Sequence, residues 1–167
     1  RDMPPSRVIS AWLRSLDEED LAGTTPEALA PVLWDGFTQA AKRTGPGCQI
    51  AQLRYTDTKG NTDTALLILN EDMPYLVDSF VMALRKERVH AAGVMNAVLP
   101  VQRDAAGNVT SVGSAGAPLE SYVLVLLNDE LAFDELDKLT ARIRMVASDA
   151  ATVHRDAVAM GDRMTAV

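Results

Sequence analysis

Apolar positions along this chain change period several times, and each change marks an element. From 6 to 43 they follow helical spacing: Val8, Ile9, Trp12, Leu13 and Leu16 share one face. Ala28, Leu29, Val32, Leu33 and Phe37 make a second face, interrupted only by Pro31. Between them Thr25-Pro26 is a helix-start signal, an N-cap oxygen followed by a residue whose missing N–H costs little in a first turn. Gly45-Pro46-Gly47 ends this part. Ala51, Leu53 and Tyr55 then alternate with Gln52, Arg54 and Thr56, as in a half-buried strand, and Lys59-Gly60-Asn61 turns the chain. The run 64–69 is continuously apolar, as a central strand requires.

Helical spacing returns over 73–88, where Leu76, Val77, Phe80, Val81 and Leu84 share a face. A strand over 94–101, a turn at Ala105-Ala106-Gly107-Asn108 and a return over Val109–Val112 follow, then a loop or bulge at 113–118. Residues 122–127 form a second continuous apolar run. The last element is the most regular. Leu136, Leu139, Ile143, Val146, Ala150, Val153, Ala157 and Met160 stand three and four apart, a heptad-type seam. Its first half is expected to cover the sheet and its second half to pack on a neighbouring domain or subunit. His154 lies off the seam, next to Arg155 and Asp156, and reads as solvated.

These pieces predict an α+β fold: a ferredoxin-like antiparallel sheet with helices on one face, preceded by N-terminal helices and ending in a long C-terminal helix. The order from 64 onward is β-α-β-β-α, the split unit without its final strand. Residues 109–112 and 120–127 read as one return strand interrupted by a bulge, its second part parallel to 64–69. The strand at 50–56, tied to 64–69 by a short turn, is expected to pair there antiparallel and stand in for the absent strand. Two segments follow, an N-terminal helical segment at 1–47 and an α+β domain at 48–167.

Composition narrows the function more than the fold. The length suits one domain with a real core. A net charge of −7 argues against nucleic-acid backbones and anionic membranes as partners. No segment approaches the roughly 20 apolar residues of a membrane span, and no signal peptide is visible. A lone Cys48 makes no intrachain disulfide and reads as a packing residue at the start of a strand; a cytoplasmic location is expected. The chain starts at Arg1 and stops soon after a helical pattern, which suggests a piece of a longer protein. Trp12 and Trp34 read as core or docking residues.

No catalytic set emerges. There is no dinucleotide or phosphate-binding glycine loop, no nucleophile elbow and no metal-ligand spacing around either histidine, so no catalytic and no metal site is predicted. Asp63, Glu71, Asp72 and Asp78 read as a loose acidic group near one end of the sheet, and a solvated face accounts for it. The candidate site is the joint between the 64–69 strand and the next helix: Asn70, Glu71, Asp72, Met73, Pro74, Tyr75 and Leu76. Asp72 reads as the N-cap and Pro74 as a first-turn residue. Such a joint suits a small zwitterion, its carboxylate on free helix N–H groups and its ammonium on Glu71 and Asp72. A well-capped helix with no ligand accounts for the same residues.

The stretch from Leu66 to Ser79, with Asn70-Glu71-Asp72-Met73-Pro74-Tyr75-Leu76-Val77-Asp78-Ser79 at its centre, resembles the N-terminal region of the large bacterial NAD-specific glutamate dehydrogenases. Those chains carry a similar N-D-D-M-P-F-L-V-D-S after a strand; Glu71 and Tyr75 are mild departures. Val98-Leu99-Pro100-Val101-Gln102-Arg103-Asp104-Ala105-Ala106-Gly107 resembles that family's H-P-V-L-x-V-x-R-D-x-x-G hairpin, with Met95-Asn96-Ala97 where a His-Pro is usual. Glu120-Ser121-Tyr122 matches a family E-S-[FY]. The similarity runs over roughly 25–160.

The resemblance implies an ACT-like fold and a non-catalytic regulatory, amino-acid-sensing role. The parent enzyme would interconvert L-glutamate and 2-oxoglutarate, with NAD in a downstream catalytic domain and no cofactor here. In ACT modules the effector commonly sits at the loop between first strand and first helix, where 70–79 fall, the candidate residues 70–76 among them. The implied partners are an amino-acid effector and other domains or subunits of the same enzyme. An assembly module of that enzyme with no ligand is the alternative.

Overall fold

The computed structural model describes residues 4–21 and 23–166. In chain order the elements are α1 (Pro5–Arg14), a short 3₁₀ turn (Glu18–Leu21), α2 (Pro26–Gln39), β1 (Gln49–Thr56), β2 (Thr62–Glu71), α3 (Leu76–Lys86), β3 (Ala91–Arg103), β4 (Val109–Val112), β5 (Leu119–Leu127) and α4 (Phe133–Thr165). Five strands form one sheet in the order β1-β2-β5-β3-β4, and every neighbouring pair is antiparallel. This is the α+β, ferredoxin-like architecture that the periodicities predict, and the ACT-like fold that the resemblance implies.

β2 and β5 lie at the centre and are buried on both faces, which is why both read as unbroken apolar runs. Their register sorts the side chains. Ala65, Leu67 and Leu69, paired with Leu126, Leu124 and Tyr122, face a core closed by Val8 and Trp12 of α1 and Leu29, Leu33 and Phe37 of α2. Leu66 and Ile68, paired with Val125 and Val123, face a second core closed by Phe80 and Leu84 of α3 and Leu139 and Ile143 of α4. The sheet is therefore sandwiched: α3 and α4 take one face as expected, and the N-terminal helices cover the other. Trp12 is fully buried, edge-on to Phe37, and its indole N–H donates to the Tyr122 carbonyl at 3.0 Å. Trp34, by contrast, is half exposed.

Three strand-level expectations meet the register. β1 pairs antiparallel with β2 at the edge left free by the missing last strand, as predicted. The single bulged return strand is wrong. β4 pairs with the far end of β3, through Val101↔Val112, whereas β5 pairs with 91–100 of β3 from the other side in the sheet order. The expectation that 120–127 runs parallel to 64–69 is also wrong, since β5 is antiparallel to β2. The helix crossover makes β2 and β3 parallel, and the strand inserted between them must oppose both.

Two hairpin turns repeat one device. Asp57 accepts hydrogen bonds from the Lys59 and Asn61 N–H groups and from the Asn61 side chain; Asp104 does the same with Ala106 and Asn108. In both Asp-x-x-Gly-Asn turns the glycine has positive φ, +87° at Gly60 and +87° at Gly107.

Candidate functional site

The chemistry of the molecule gathers where β2 and β5 end side by side, at the register pair Glu71↔Glu120. β5 carries Glu120 into the protein. There its carboxylate receives a forked pair of hydrogen bonds from Arg103 (Nε to Oε1 2.8 Å, Nη2 to Oε2 3.0 Å), one from the Tyr122 hydroxyl (2.8 Å) and one from Arg43 (3.3 Å). Arg103 also donates to the carbonyls of Ala41 and Gly107, and Arg43 to those of Pro46 and Gly47. Burial pushes Glu120 up, but the hydrogen bonds and charge of Arg103, with Tyr122 and Arg43, outweigh it and hold the carboxyl below its ordinary value. Burial and the Glu120 charge push the Tyr122 phenol well up, so it stays protonated and donates. This knot ties the chain after α2 to the β3–β4 turn and to β5.

β2 leads instead to an open corner. Glu71 is exposed, and the Asp72 N–H donates to the Leu119 carbonyl at 3.0 Å. Burial raises the half-buried Asp72 carboxyl, opposed only by a hydrogen bond from the Met73 N–H. The helix then starts later than its sequence suggests. Asp72 is not the N-cap, and Pro74 is not in the first turn. α3 begins at Leu76 with Tyr75 as its N-cap residue in the left-handed region (φ 62°, ψ 13°), and no side chain caps it. Met73 and Leu76 are both buried, and the turn at Pro74-Tyr75 is what lets both reach the core. The cost is a non-glycine residue at positive φ. The first helical bond is Ser79 N–H to the Tyr75 carbonyl (3.0 Å), so the N–H groups of Leu76, Val77 and Asp78 have no acceptor within the helix.

The seven predicted site residues do not share one cavity. Glu71 borders a polar cavity of about 490 Å³ beside the knot, together with Arg43, Arg103 and Glu120. Pro74 and Tyr75 border an apolar groove of about 470 Å³ on the outer side of the helices. Asn70 is buried and its side-chain amide donates to the Glu71 carbonyl (2.8 Å); Met73 and Leu76 pack inward. The loose acidic group separates as well. Asp63 and Glu71 stand near opposite ends of β2, roughly 25 Å apart at the rise of a strand.

The groove was not legible from the candidate loop alone. Tyr75, Ser79, Met82 and Ala83 form its α3 wall. Val146, Asp149, Ala150, Val153, His154 and Ala157 form its α4 wall, so half of the lining comes from α4, and Val146, Ala150, Val153 and Ala157 of it from the heptad seam. The seam's first half does what is expected of it, with Leu139 and Ile143 fully buried against the sheet; beyond it Val153 is 68 % exposed and Met160 62 % exposed.

The family described as glutamate dehydrogenase, ACT1 domain matches residues 8–143. The chain belongs to that family. No curated protein matches the chain. The match spans both the N-terminal helices and the sheet of the ACT1 domain, in keeping with their common core.

Within the ACT1 domain, the motifs that carried the resemblance separate by role. Arg103, Asp104 and Gly107 build the β3–β4 turn and the knot, and Glu120 and Tyr122 complete it. A Cβ at Gly107 would lie 2.0 Å from the Arg43 carbonyl oxygen, so this position requires glycine twice over, for conformation and for space. Ser121 donates to the Asn96 side chain at 2.7 Å across β5 and β3. Burial pushes the Cys48 thiol to about 11, which keeps it protonated and unreactive at neutral pH. Among the described residues, no group of His, Cys, Asp or Glu side chains converges to hold a metal ion, and no helix is long and apolar enough to cross a membrane.

Proposed function

We propose that this ACT1 domain is a non-catalytic regulatory module of a large NAD-specific glutamate dehydrogenase, and that it senses an amino acid at the β2–α3 corner. The parent enzyme interconverts L-glutamate and 2-oxoglutarate in the cytoplasm, with NAD held by a downstream catalytic domain. The observation that carries the reading is the state of that corner. Asp72 is a half-buried carboxylate with one backbone donor and, among the described residues, no cation paired with it, and the helix that starts four residues on has three N–H groups without intrahelical acceptors. Asp72 and the exposed Glu71 suit an ammonium, and the N–H groups of Leu76, Val77 and Asp78 suit a carboxylate. Pro74 supplies no N–H, so the donor side of the seat lies further into the helix than the sequence pattern places it.

Thermal unfolding of the chain against the amino acids, 2-oxoglutarate and NAD tests this. A ligand at a hundredfold excess over its dissociation constant adds about 2.7 kcal/mol of stability. One amino acid should raise Tm, and Asp72→Ala should abolish the rise. No rise with any amino acid, or a rise that survives Asp72→Ala, refutes the corner as the seat.

The alternative, an assembly module of the same enzyme, is favoured by a separate observation: from Thr152 to Thr165 every residue of α4 is exposed, including Val153, Val158, Met160 and Met164.

A further inference from the structure

We propose that the distal half of α4 pairs antiparallel with the same segment of a second copy of this chain, each tail lying in the other copy's α3–α4 groove. This names the occupant for the assembly reading and does not depend on the effector seat.

The groove and the bare tail are two halves of one self-complementary surface. α4 has 33 residues, about 50 Å of helix. Its last buried residue is Ala147, and the heptad continues past it with Ala150, Ala157 and Met164 at one core position and Val153 and Met160 at the other. A tail that keeps a core stripe without a core is a half-made interface.

The stripe also selects the direction and register. Antiparallel pairing about a two-fold axis near residue 155 sets Ala150 against Met160, Ala157 against Val153 and Val146 against Met164 of the other copy. Each alanine then meets a larger side chain, and the layers fill evenly. A parallel pair in register would stack Ala150 on Ala150 and Met160 on Met160, leaving gaps beside crowded layers. The groove wall agrees with this choice. Val146, Ala150, Val153 and Ala157 line it, and the residues brought opposite them are Met164, Met160, Ala157 and Val153. Helix pairs of this kind bury apolar ridges in apolar grooves, and an isologous contact closes at two copies.

Charge fixes the same register. The positions flanking the core on one side are Asp149, Asp156 and Arg163. In an antiparallel pair like positions flank each other, so Asp149 meets Arg163 of the other copy twice. Asp156 meets its own copy across the axis, the unfavourable pair on this flank, and on the other flank His154 meets its own copy.

Sedimentation velocity of the chain over a concentration series tests the proposal. Wild type should be a reversible dimer. Val153→Asp and Met160→Asp should be monomers with unchanged secondary structure, since both residues are exposed. Asp149→Arg and Arg163→Asp should each weaken the dimer about tenfold, the double swap should restore it, and Asp156→Asn should tighten it. A wild-type monomer at every concentration, a dimer that survives Val153→Asp, or a double swap no better than either single overturns the proposal. The Asp72-dependent rise in Tm should persist in Val153→Asp, so failure of the interface and failure of the effector seat are read separately.

Discussion

Glu71 and Glu120 are register partners on adjacent strands, yet they live under opposite rules. Glu120 is 4 % exposed and has two arginines and a tyrosine hydroxyl around its carboxylate. Glu71 is exposed, and the neighbouring Asp72 is half-buried with a single backbone donor. The difference lies in what the rest of the chain brings. The segment after α2 folds back to place Arg43 against β5, and the β3–β4 turn aims Arg103 at it. Among the described residues no cation pairs with Glu71 or Asp72 in the same way. A buried charge with all partners supplied from within holds the fold together. A half-buried charge paired with no cation among the described residues ties nothing together in this way, and on the proposed reading it is what an arriving ammonium would meet.

The largest expected effect comes from breaking the closed side. Glu120→Ala leaves Arg43 and Arg103 facing each other without their shared anion. It should cost about 3–5 kcal/mol, read as a fall in the urea midpoint with an unchanged slope. The pH dependence carries a matching signature. Because Glu120 is held below its ordinary value in the folded protein, the unfolded chain binds its proton more tightly. Its stabilisation is complete above the unfolded carboxylate value and is lost as pH falls through the folded one. Glu120→Gln should therefore flatten the acid limb of the stability curve. Asp57 and Asp104, also held low by their turn hydrogen bonds, titrate in both proteins and cancel in the difference. An acid limb of unchanged steepness in Glu120→Gln would show that the knot is not what acid breaks.

Gly107→Ala should follow, at about 2–3 kcal/mol. It places a side chain at positive φ and against the Arg43 carbonyl at once. Gly60→Ala is its control. Gly60 has the same φ in the same Asp-x-x-Gly-Asn turn, with open space around it, so it should cost only the conformational part, about 1 kcal/mol. The gap between the two measures how firmly the Arg43 segment is pressed onto the β3–β4 turn.

Much of this was legible in the chain because burial writes itself into period. Strands covered on both faces read as unbroken runs at 64–69 and 122–127, and the turn glycines and the heptad seam sit where they were read. The edge pairing of β1 followed from a short connection. The errors have physical causes. Periodicity says nothing about which side of β3 a strand takes, so β4 and β5 merged into one return strand. A good N-cap residue followed two positions later by proline looked like a helix start. Burying both Met73 and Leu76 was worth more than capping, and the helix was pushed on to Leu76 through a left-handed Tyr75. The knot was hidden for another reason. Arg43 and Glu120 are 77 residues apart, and only the packing of the N-terminal helices on the sheet brings them together. The groove is likewise a property of two helices lying side by side, not of either alone.

The smallest effect on stability should come from the open side, and that smallness is its signature. Burial raises Asp72, so ionising it at neutral pH works against the fold. Asp72→Asn keeps an acceptor for the Met73 N–H and removes the charge. Its stability should match or slightly exceed wild type at pH 7, within about 0.5 kcal/mol. The sign reverses that of Glu120: the folded protein holds the Asp72 proton more tightly than the unfolded chain does. Wild type should thus gain on Asp72→Asn as pH falls through the raised value. Ligand binding should behave in the opposite sense. An ammonium held by an ionised Asp72 is released as that carboxyl protonates, so affinity should decline in mild acid and be weak at all pH in the variant. Calorimetric titration of the amino acid that raises Tm, run across that range on both proteins, decides the point. A variant that is less stable and binds as well as wild type would make Asp72 a structural residue like Glu120, and would leave the corner without a reason to be open.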